Sequence, residues 1–408
     1  MPSFLRLFVV FVEIQLVDCD IGRGGTDLGR PAAAYLACVP VTFYISGMSL
    51  PNRPVDPALA RGRAALSRDC GRYERLRRED VHDGWDLPEE GTVFRTEVSD
   101  EVPRTVISYV RSPDLPFDRS LNPYRGCEHG CIYCFARPTH AWLGLSPGLD
   151  FETRLVARPT APHVLARELR ARKYSVAPLA IGTNTDPYQP VERDRGIMRA
   201  CLEVLRDFRH PVAIVTKGAL IERDIDILSD MAAQGLARVG ISITTLDEGL
   251  SRRMEPRAPG PKRRLQMIRR LVDAGVPVRI MASPMVPALT DPELESILTA
   301  GAEAGATSAS WIMLRLPLEV ADLWQDWLHE HYPDRANRVM NHLRDMHGGE
   351  VYSSKWFARM RGEGPYADLM AARFKRAARA LGLDRDQPPL RCDLFCPPPQ
   401  KGDQLNLF

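Results

Sequence analysis

Short apolar runs and amphipathic stretches alternate along the middle of the chain. Leu179-Ala-Ile-Gly-Thr183 is brief, apolar and closed by turn residues; from Arg195 to Phe208 the positions Ile197, Cys201, Val204 and Leu205 then recur at helical spacing. Pro211-Val-Ala-Ile-Val-Thr216 predicts a buried strand, with a helix from Ile221 to Ala233. Arg238–Thr245 predicts the next strand, with a helix from Lys262 to Ala274. Val276–Ala282 follows, and Asp291-Pro292 opens a helix running to Ala304, proline being well suited to a first helical turn. Ser308–Leu316 is the last clear strand, with a helix from about Val320. Counting a strand that delivers Asn122-Pro-Tyr124 as the first, the pattern predicts about six β-α units and therefore a parallel sheet.

In such a sheet, ligands bind at the carboxyl ends of the strands. The ends are polar here: Gly182-Thr-Asn-Thr-Asp-Pro-Tyr-Gln-Pro190, Thr216-Lys217, then Ser242 and Thr244 on one face leading to Asp247 and Arg252–Arg257. Ala282-Ser-Pro-Met-Val-Pro287 and Arg315 complete the set. Any one of these is ordinary turn or capping chemistry. Five in succession, carrying hydroxyls, a lysine and arginines, are better explained by a ligand at the mouth of the sheet.

Upstream of these strands lies Asn122-Pro-Tyr-Arg-Gly-Cys-Glu-His-Gly-Cys-Ile-Tyr-Cys-Phe-Ala-Arg137. Cys127, Cys131 and Cys134 stand in C-x3-C-x2-C spacing, which lets one loop hold three corners of a [4Fe–4S] cube. Electron-transfer clusters generally take four cysteines, so three predict an iron left open to a small molecule. Gly126 and Gly130 let the backbone wrap closely. A zinc ribbon would need a second Cys or His pair at regular spacing; His129 and His140 are the nearby histidines.

The run resembles the signature of the radical S-adenosylmethionine (SAM) superfamily, in the branch that holds the spore photoproduct lyases and their uncharacterised relatives. The resemblance implies an incomplete (β/α)6 barrel and a [4Fe–4S] cluster held by the three cysteines. SAM would be chelated to the open iron and cleaved reductively to methionine and a 5′-deoxyadenosyl radical, with the electron coming from an unidentified donor. Residue by residue, it implies SAM contacts from Tyr133, Thr185, Lys217, Ser242 and Ser283. Two positions depart from true photoproduct lyases: Thr183 stands where those enzymes return a hydrogen from a cysteine, and Phe135 stands where they carry a tyrosine.

Composition adds bounds. The 408 residues, 44% hydrophobic and 26% charged, suit a soluble α/β protein of one or two domains. A net charge of +2 argues for no global nucleic-acid field. Nine cysteines make no regular framework of the secreted kind, and a cluster site implies a reducing, cytoplasmic setting. Cys19, Cys38, Cys70 and Cys201 are scattered; Cys392 and Cys396 are an incidental pair or an auxiliary metal site. The apolar run within Leu5–Val17 is too short to span a membrane, and residues 1–47 are expected to be a poorly ordered N-terminal extension. Residues 48–103 form a charged lead-in, either an arm for a polyanion or a solvated segment. The barrel occupies 104–320, and the aromatic, histidine-rich stretch 321–390 forms a helical cap.

Residues 391–408 are expected to be a flexible tail that carries Gln404-Leu-Asn-Leu-Phe408 clear of the barrel on a Pro/Gly-rich linker. The ending resembles the pentapeptide with which bacterial replication and repair proteins dock on the DNA polymerase sliding clamp. Leu405, Leu407 and Phe408 are its apolar anchors and Gln404 its rim hydrogen-bonder. The sequence thus predicts a radical SAM enzyme that repairs or modifies DNA. The alternatives are one acting on protein, RNA or a small molecule, and a clamp-binding iron–sulfur accessory protein without turnover.

Overall fold

The structure, a computed structural model, describes residues 62–69, 71–73 and 94–400. The expectations for residues 1–47, most of the charged lead-in and Gln404–Phe408 lie outside the described residues. In chain order the elements begin with β1 (Glu97–Asp100), β2 (Ile107–Tyr109), β3 (Arg119–Leu121) and β4 (Tyr124–Arg125). Next come α1 (Leu149–Thr153), β5 (Arg154–Ala157), α2 (Ala161–Leu169), β6 (Leu179–Ile181), α3 (Glu192–Arg195) and α4 (Ile197–Asp207). The repeating part continues with β7 (Val212–Thr216), α5 (Ile225–Ala233), β8 (Ala237–Ser242), α6 (Glu248–Met254), α7 (Pro261–Asp273), β9 (Val278–Met285), α8 (Leu294–Glu303) and β10 (Ser308–Met313). It closes with α9 (Val320–His331), α10 (Pro333–Met346), α11 (Ala358–Arg361) and α12 (Pro365–Ala380).

The main sheet runs β10-β9-β8-β7-β6-β3-β2. Its six strands from β3 to β10 are parallel, and β2 pairs antiparallel with β3. Each parallel strand lies beside its sequence successor, and β10 and β2 stay at opposite edges, so the barrel is open. Alternate residues of β7 (Val212, Ile214, Thr216) are buried as the period of two requires. Helix α4 buries Ile197, Met198, Cys201, Leu202 and Leu205 against the sheet, a single apolar stripe.

The structure differs from the periodicity in three places. The predicted helix at Ile221 begins as a 3-10 turn, Ala219–Asp224, before α5. That at Asp291 begins as Asp291–Glu293, a tight turn that delivers the Glu293 carboxylate to the Thr245 hydroxyl and the Leu246 amide, both at 2.6 Å. Between β3 and β6 lies an insertion whose strands β4 and β5 join the earlier β1 in a small second sheet, β1-β5-β4.

The cap is helical as expected, and Trp324 and Trp327 are fully buried in it, stacked at 5.0 Å. The tail is not free where the structure describes it. Residues 383–398 form a strap across the amino ends of the strands. Leu383 O accepts from Ala309 N at 3.1 Å, Arg391 N donates to Gly235 O at 3.0 Å, and Cys396 N donates to Phe208 O at 3.0 Å. Phe395 packs among Tyr174, Phe208 and His210. The prolines limit the strap's unfolded freedom and the Phe395 aromatic cluster anchors it, which corrects the flexible-linker expectation for residues 391–398.

His210 makes the strap's seat sensitive to pH. It is fully buried, with Nδ1 3.0 Å from Pro211 O and Nε2 2.6 Å from the Tyr174 hydroxyl. Burial lowers its pKa from 6.5 to about 4. The folded protein therefore binds fewer protons than the unfolded chain between these values. The stability that His210 contributes is complete above pH 6.5 and is lost as pH falls towards 4. The loss is roughly 3 kcal/mol. Thermal midpoints measured from pH 7.5 to 4.5 should fall more steeply for the parent than for His210→Gln; parallel curves would refute this.

Candidate functional site

The cysteine loop leaves β3 at its carboxyl end, and its shape follows from buried anchors behind it. Gly126 and Gly130 have φ of +74° and +65°, and a Cβ on Gly126 would stand 2.8 Å from Leu155 and 2.9 Å from His140. Arg137, fully buried, donates to the carbonyls of Cys131 (3.0 Å), Gly130 (3.2 Å), Pro147 (3.1 Å) and Gly148 (2.9 Å). It also pairs with the buried Glu152 carboxylate at 2.5 Å. Glu152 accepts in turn from the amides of Ala64 and Ala65, while Arg63 donates to the Glu152 carbonyl at 2.7 Å. In the short described part of the lead-in, residues 63–65 brace the cysteine loop.

A second brace comes from the turn after β6. Gln189 accepts from Glu128 N at 2.8 Å and donates to Gly126 O at 3.2 Å. Asp186 accepts from Thr216 Oγ1 (2.6 Å), Lys217 N (2.8 Å) and Tyr188 N (2.9 Å), and lies 3.3 Å from His129 Nδ1. Burial pushes the Asp186 carboxyl up, but His129 and the bonds from Lys217 N and Thr216 outweigh it and hold it well below the usual carboxylate range. One carboxylate thus ties the cysteine loop to two strand ends.

Cys127, Cys131 and Cys134 line a single recess of about 930 Å³ at the carboxyl ends of the strands, together with Tyr133, Thr185, Lys217, Ser242 and Ser283. The eight residues expected to hold the cluster and SAM therefore line one recess, although their polar atoms are not equally available. Thr185 Oγ1 donates to Tyr124 O at 3.0 Å, and Ser242 Oγ donates to Ser283 O at 2.7 Å. The Tyr133 hydroxyl bonds to Glu255 and lies 3.1 Å from Thr244 Oγ1. These three side chains shape the wall. Ser283 Oγ is buried without a partner, and Lys217 makes no ion pair with a carboxylate among the described residues; its Nζ sits 5.8 Å from the Tyr133 ring centre.

Glu255 and Arg264, on neither of which the sequence reading settled, form a buried pair under the recess. Arg264 also donates to Ser242 O at 2.9 Å and Pro259 O at 2.7 Å. Burial raises the Glu255 pKa, but Arg264 and Lys217, with hydrogen bonds from Arg264 and Tyr133, bring it down to about 2. It therefore stays ionised, and its charge offsets that of Lys217 across the floor of the recess.

The residues fit a three-thiolate cluster with an open corner. Among the described residues no further cysteine lines the recess. Among the described residues no three His, Cys, Asp or Glu side chains converge tightly enough to hold a single metal ion, whereas a cube holds its ligands at separate corners. His140 Nε2 lies 2.8 Å from Arg154 O and His129 faces Asp186, so neither completes a zinc site with the loop. Burial pushes the Cys131 thiol up to about 12 and that of Cys127 up as well, so metal capture here is coupled to proton release. Cys392 and Cys396 make only long sulfur contacts, each to a backbone carbonyl at 3.8 Å.

A parallel, open α/β barrel whose first strand end carries three clustered cysteines defines a class, and the comparisons agree with it. Residues 121–300 match the family model of the radical SAM superfamily. An uncharacterised protein of Mycobacterium tuberculosis (strain ATCC 25618 / H37Rv) is 37% identical over 226 residues, 55% of this chain and 66% of the relative, just short of two thirds of its length. An uncharacterised protein of Methanocaldococcus jannaschii is 24% identical over 54% of this chain and 79% of its own. Among solved structures, a point mutant of spore photoproduct lyase superposes with a TM-score of 0.51 at 14% identity, covering 70% of this chain and 80% of that one. That likeness bears on the fold. Among the described residues no helix is long and apolar enough to cross a membrane.

Proposed function

We propose that this chain is a radical SAM enzyme that repairs or modifies DNA. The observation that carries the reading is the meeting of Cys127, Cys131 and Cys134 with Lys217 and the unpartnered hydroxyl of Ser283 in one recess at the strand ends. When bound, a [4Fe–4S] cluster supplies the electron that cleaves SAM and so opens radical chemistry on a substrate. The three thiolates would hold that cluster. Lys217 offers the cation for the SAM carboxylate and Ser283 a hydroxyl for its polar groups. Tyr133, Thr185 and Ser242 keep the wall fixed, and the Glu255–Arg264 pair keeps Tyr133 and Ser242 in place.

DNA as the substrate is supported by the photoproduct-lyase-like form of the 122–134 motif and by the clamp-type ending at Gln404–Phe408. The strap adds geometry: it runs along the amino ends of the strands, the face opposite the recess, so a tail that docks on a clamp would leave the mouth open to substrate. The test is anaerobic reconstitution with SAM and damaged duplex DNA, scored for 5′-deoxyadenosine and new nucleosides. SAM cleavage without any change in DNA would favour a protein, RNA or small-molecule substrate, and no cleavage would favour a non-catalytic accessory. Deleting Gln404–Phe408 should abolish retention on immobilised sliding clamp and leave SAM cleavage intact; unchanged retention would refute clamp docking.

A further inference from the structure

A second cavity, of about 1320 Å³, adjoins the recess that holds the cysteines; Phe135, Thr183, Asn184 and Arg315 line both. Four arginines, Arg125, Arg158, Arg315 and Arg359, face this second cavity, and among the described residues no Asp or Glu does. Two carboxylates outside the lining answer three of them. Glu101 pairs with Arg125 at 3.0 Å and Arg158 at 3.2 Å, and Asp114 pairs with Arg359 at 2.7 Å. Among the described residues Arg315 pairs with no carboxylate: its polar contact is to Met360 Sδ at 3.5 Å, and its guanidinium lies 3.8 Å from the centre of the Phe135 ring.

A guanidinium stays charged in proteins. One that is half-buried, stacked on an aromatic face and left without a counter-ion at the junction of two cavities is poised for an anion brought by a ligand. Its place over the Phe135 ring holds the guanidinium at the junction of the two cavities. The surroundings suit a nucleotide. Thr183 lines both cavities, so a substrate in the second meets the first beside it. Next to Arg359, Trp356 and Phe357 are 55% and 66% exposed. Phe357 is held at φ +68°, a costly conformation for this residue, by its N–H to Asp114 Oδ2 at 3.2 Å. Exposed rings beside cationic side chains are the usual surface for stacked bases on a single strand.

We infer that this second cavity is the substrate site, and that it takes an unpaired nucleotide of a DNA strand whose phosphodiester is anchored by Arg315. The inference rests on the DNA reading above and adds where, and by which residue, the strand is held.

The test uses the full chain, purified anaerobically, with a fluorescein-labelled single-stranded oligodeoxynucleotide, the matching oligoribonucleotide and inorganic pyrophosphate. Anisotropy is followed over a series of salt concentrations. Arg315→Gln should weaken oligodeoxynucleotide binding about tenfold, as expected for one charged hydrogen bond. It should also make the slope of log affinity against log salt shallower by about 0.7, one phosphate contact on a single strand. Arg315→Lys should recover part of the affinity, and Arg385→Gln, which removes an exposed charge elsewhere, should match the parent. Circular dichroism checks the fold, which Arg315 supports through no carboxylate. If the oligodeoxynucleotide binds and Arg315→Gln leaves affinity and slope unchanged, the anchor is refuted while the DNA reading stands. If the parent binds no DNA although it cleaves SAM, both fall. Tighter binding of the oligoribonucleotide, or equal competition by pyrophosphate, would overturn the assignment to a DNA strand.

Discussion

Arg137→Met is expected to destabilise the chain by about 3–5 kcal/mol, because it leaves the fully buried Glu152 carboxylate without its cation. It also removes the donor to four loop carbonyls, two of them belonging to Gly130 and Cys131. Both effects fall on the backbone that spaces the cysteines. Iron content after reconstitution should therefore drop in the fraction of protein that remains folded. Denaturant unfolding gives the stability and iron assay the loading. Adding Glu152→Gln to Arg137→Met should return part of the stability, since no buried charge is then left alone and the amide oxygen still accepts from Ala64 or Ala65. Unaltered stability and full iron in the single variant would show that the loop holds its shape without this pair.

Replacing Cys127, Cys131 or Cys134 singly by alanine should reduce both bound iron–sulfur cluster and SAM cleavage to background, because two thiolates cannot hold a cube that needs three fixed corners. Cys201→Ala is the proper comparison. Cys201 is fully buried on α4 with its thiol pushed up by burial, and its loss should leave iron content unchanged. Iron and acid-labile sulfide, with 5′-deoxyadenosine measured alongside, decide the matter. Full loading in any of the three loop variants would remove that residue from the ligand set.

Much of this was legible in the chain because it rests on local rules. The alternation of apolar strands and striped helices gave the six parallel strands, since period and burial follow directly from secondary structure. The cysteine spacing and strand-end hydroxyls led to the residues that line the recess. What escaped was non-local. Arg137 and Arg264 look in sequence like ordinary surface charges, in Ala136-Arg137-Pro138 and Lys262-Arg-Arg264; only the fold reveals that each is buried against a carboxylate. Gln189 and Asp186 sit in a polar turn whose side chains could have faced water, and their role appears only when that turn reaches the cysteine loop. The resemblance implied SAM contacts from Thr185 and Ser242; the bonds of these hydroxyls to Tyr124 O and Ser283 O depend on neighbouring strands. The strap looked like a linker because prolines and short polar residues dominate it; one aromatic, Phe395, supplied the burial that docks it.

Electron paramagnetic resonance of the anaerobically reconstituted, reduced full chain, recorded with and without SAM, bears most directly on the cluster with a vacant corner. The account predicts about four irons and four sulfides per chain, and a reduced-cluster signal that changes shape when SAM is added, because the cofactor reaches an iron that no side chain holds. A chain that carries zinc instead, or a cluster whose signal ignores SAM because a fourth side chain caps it, would contradict it.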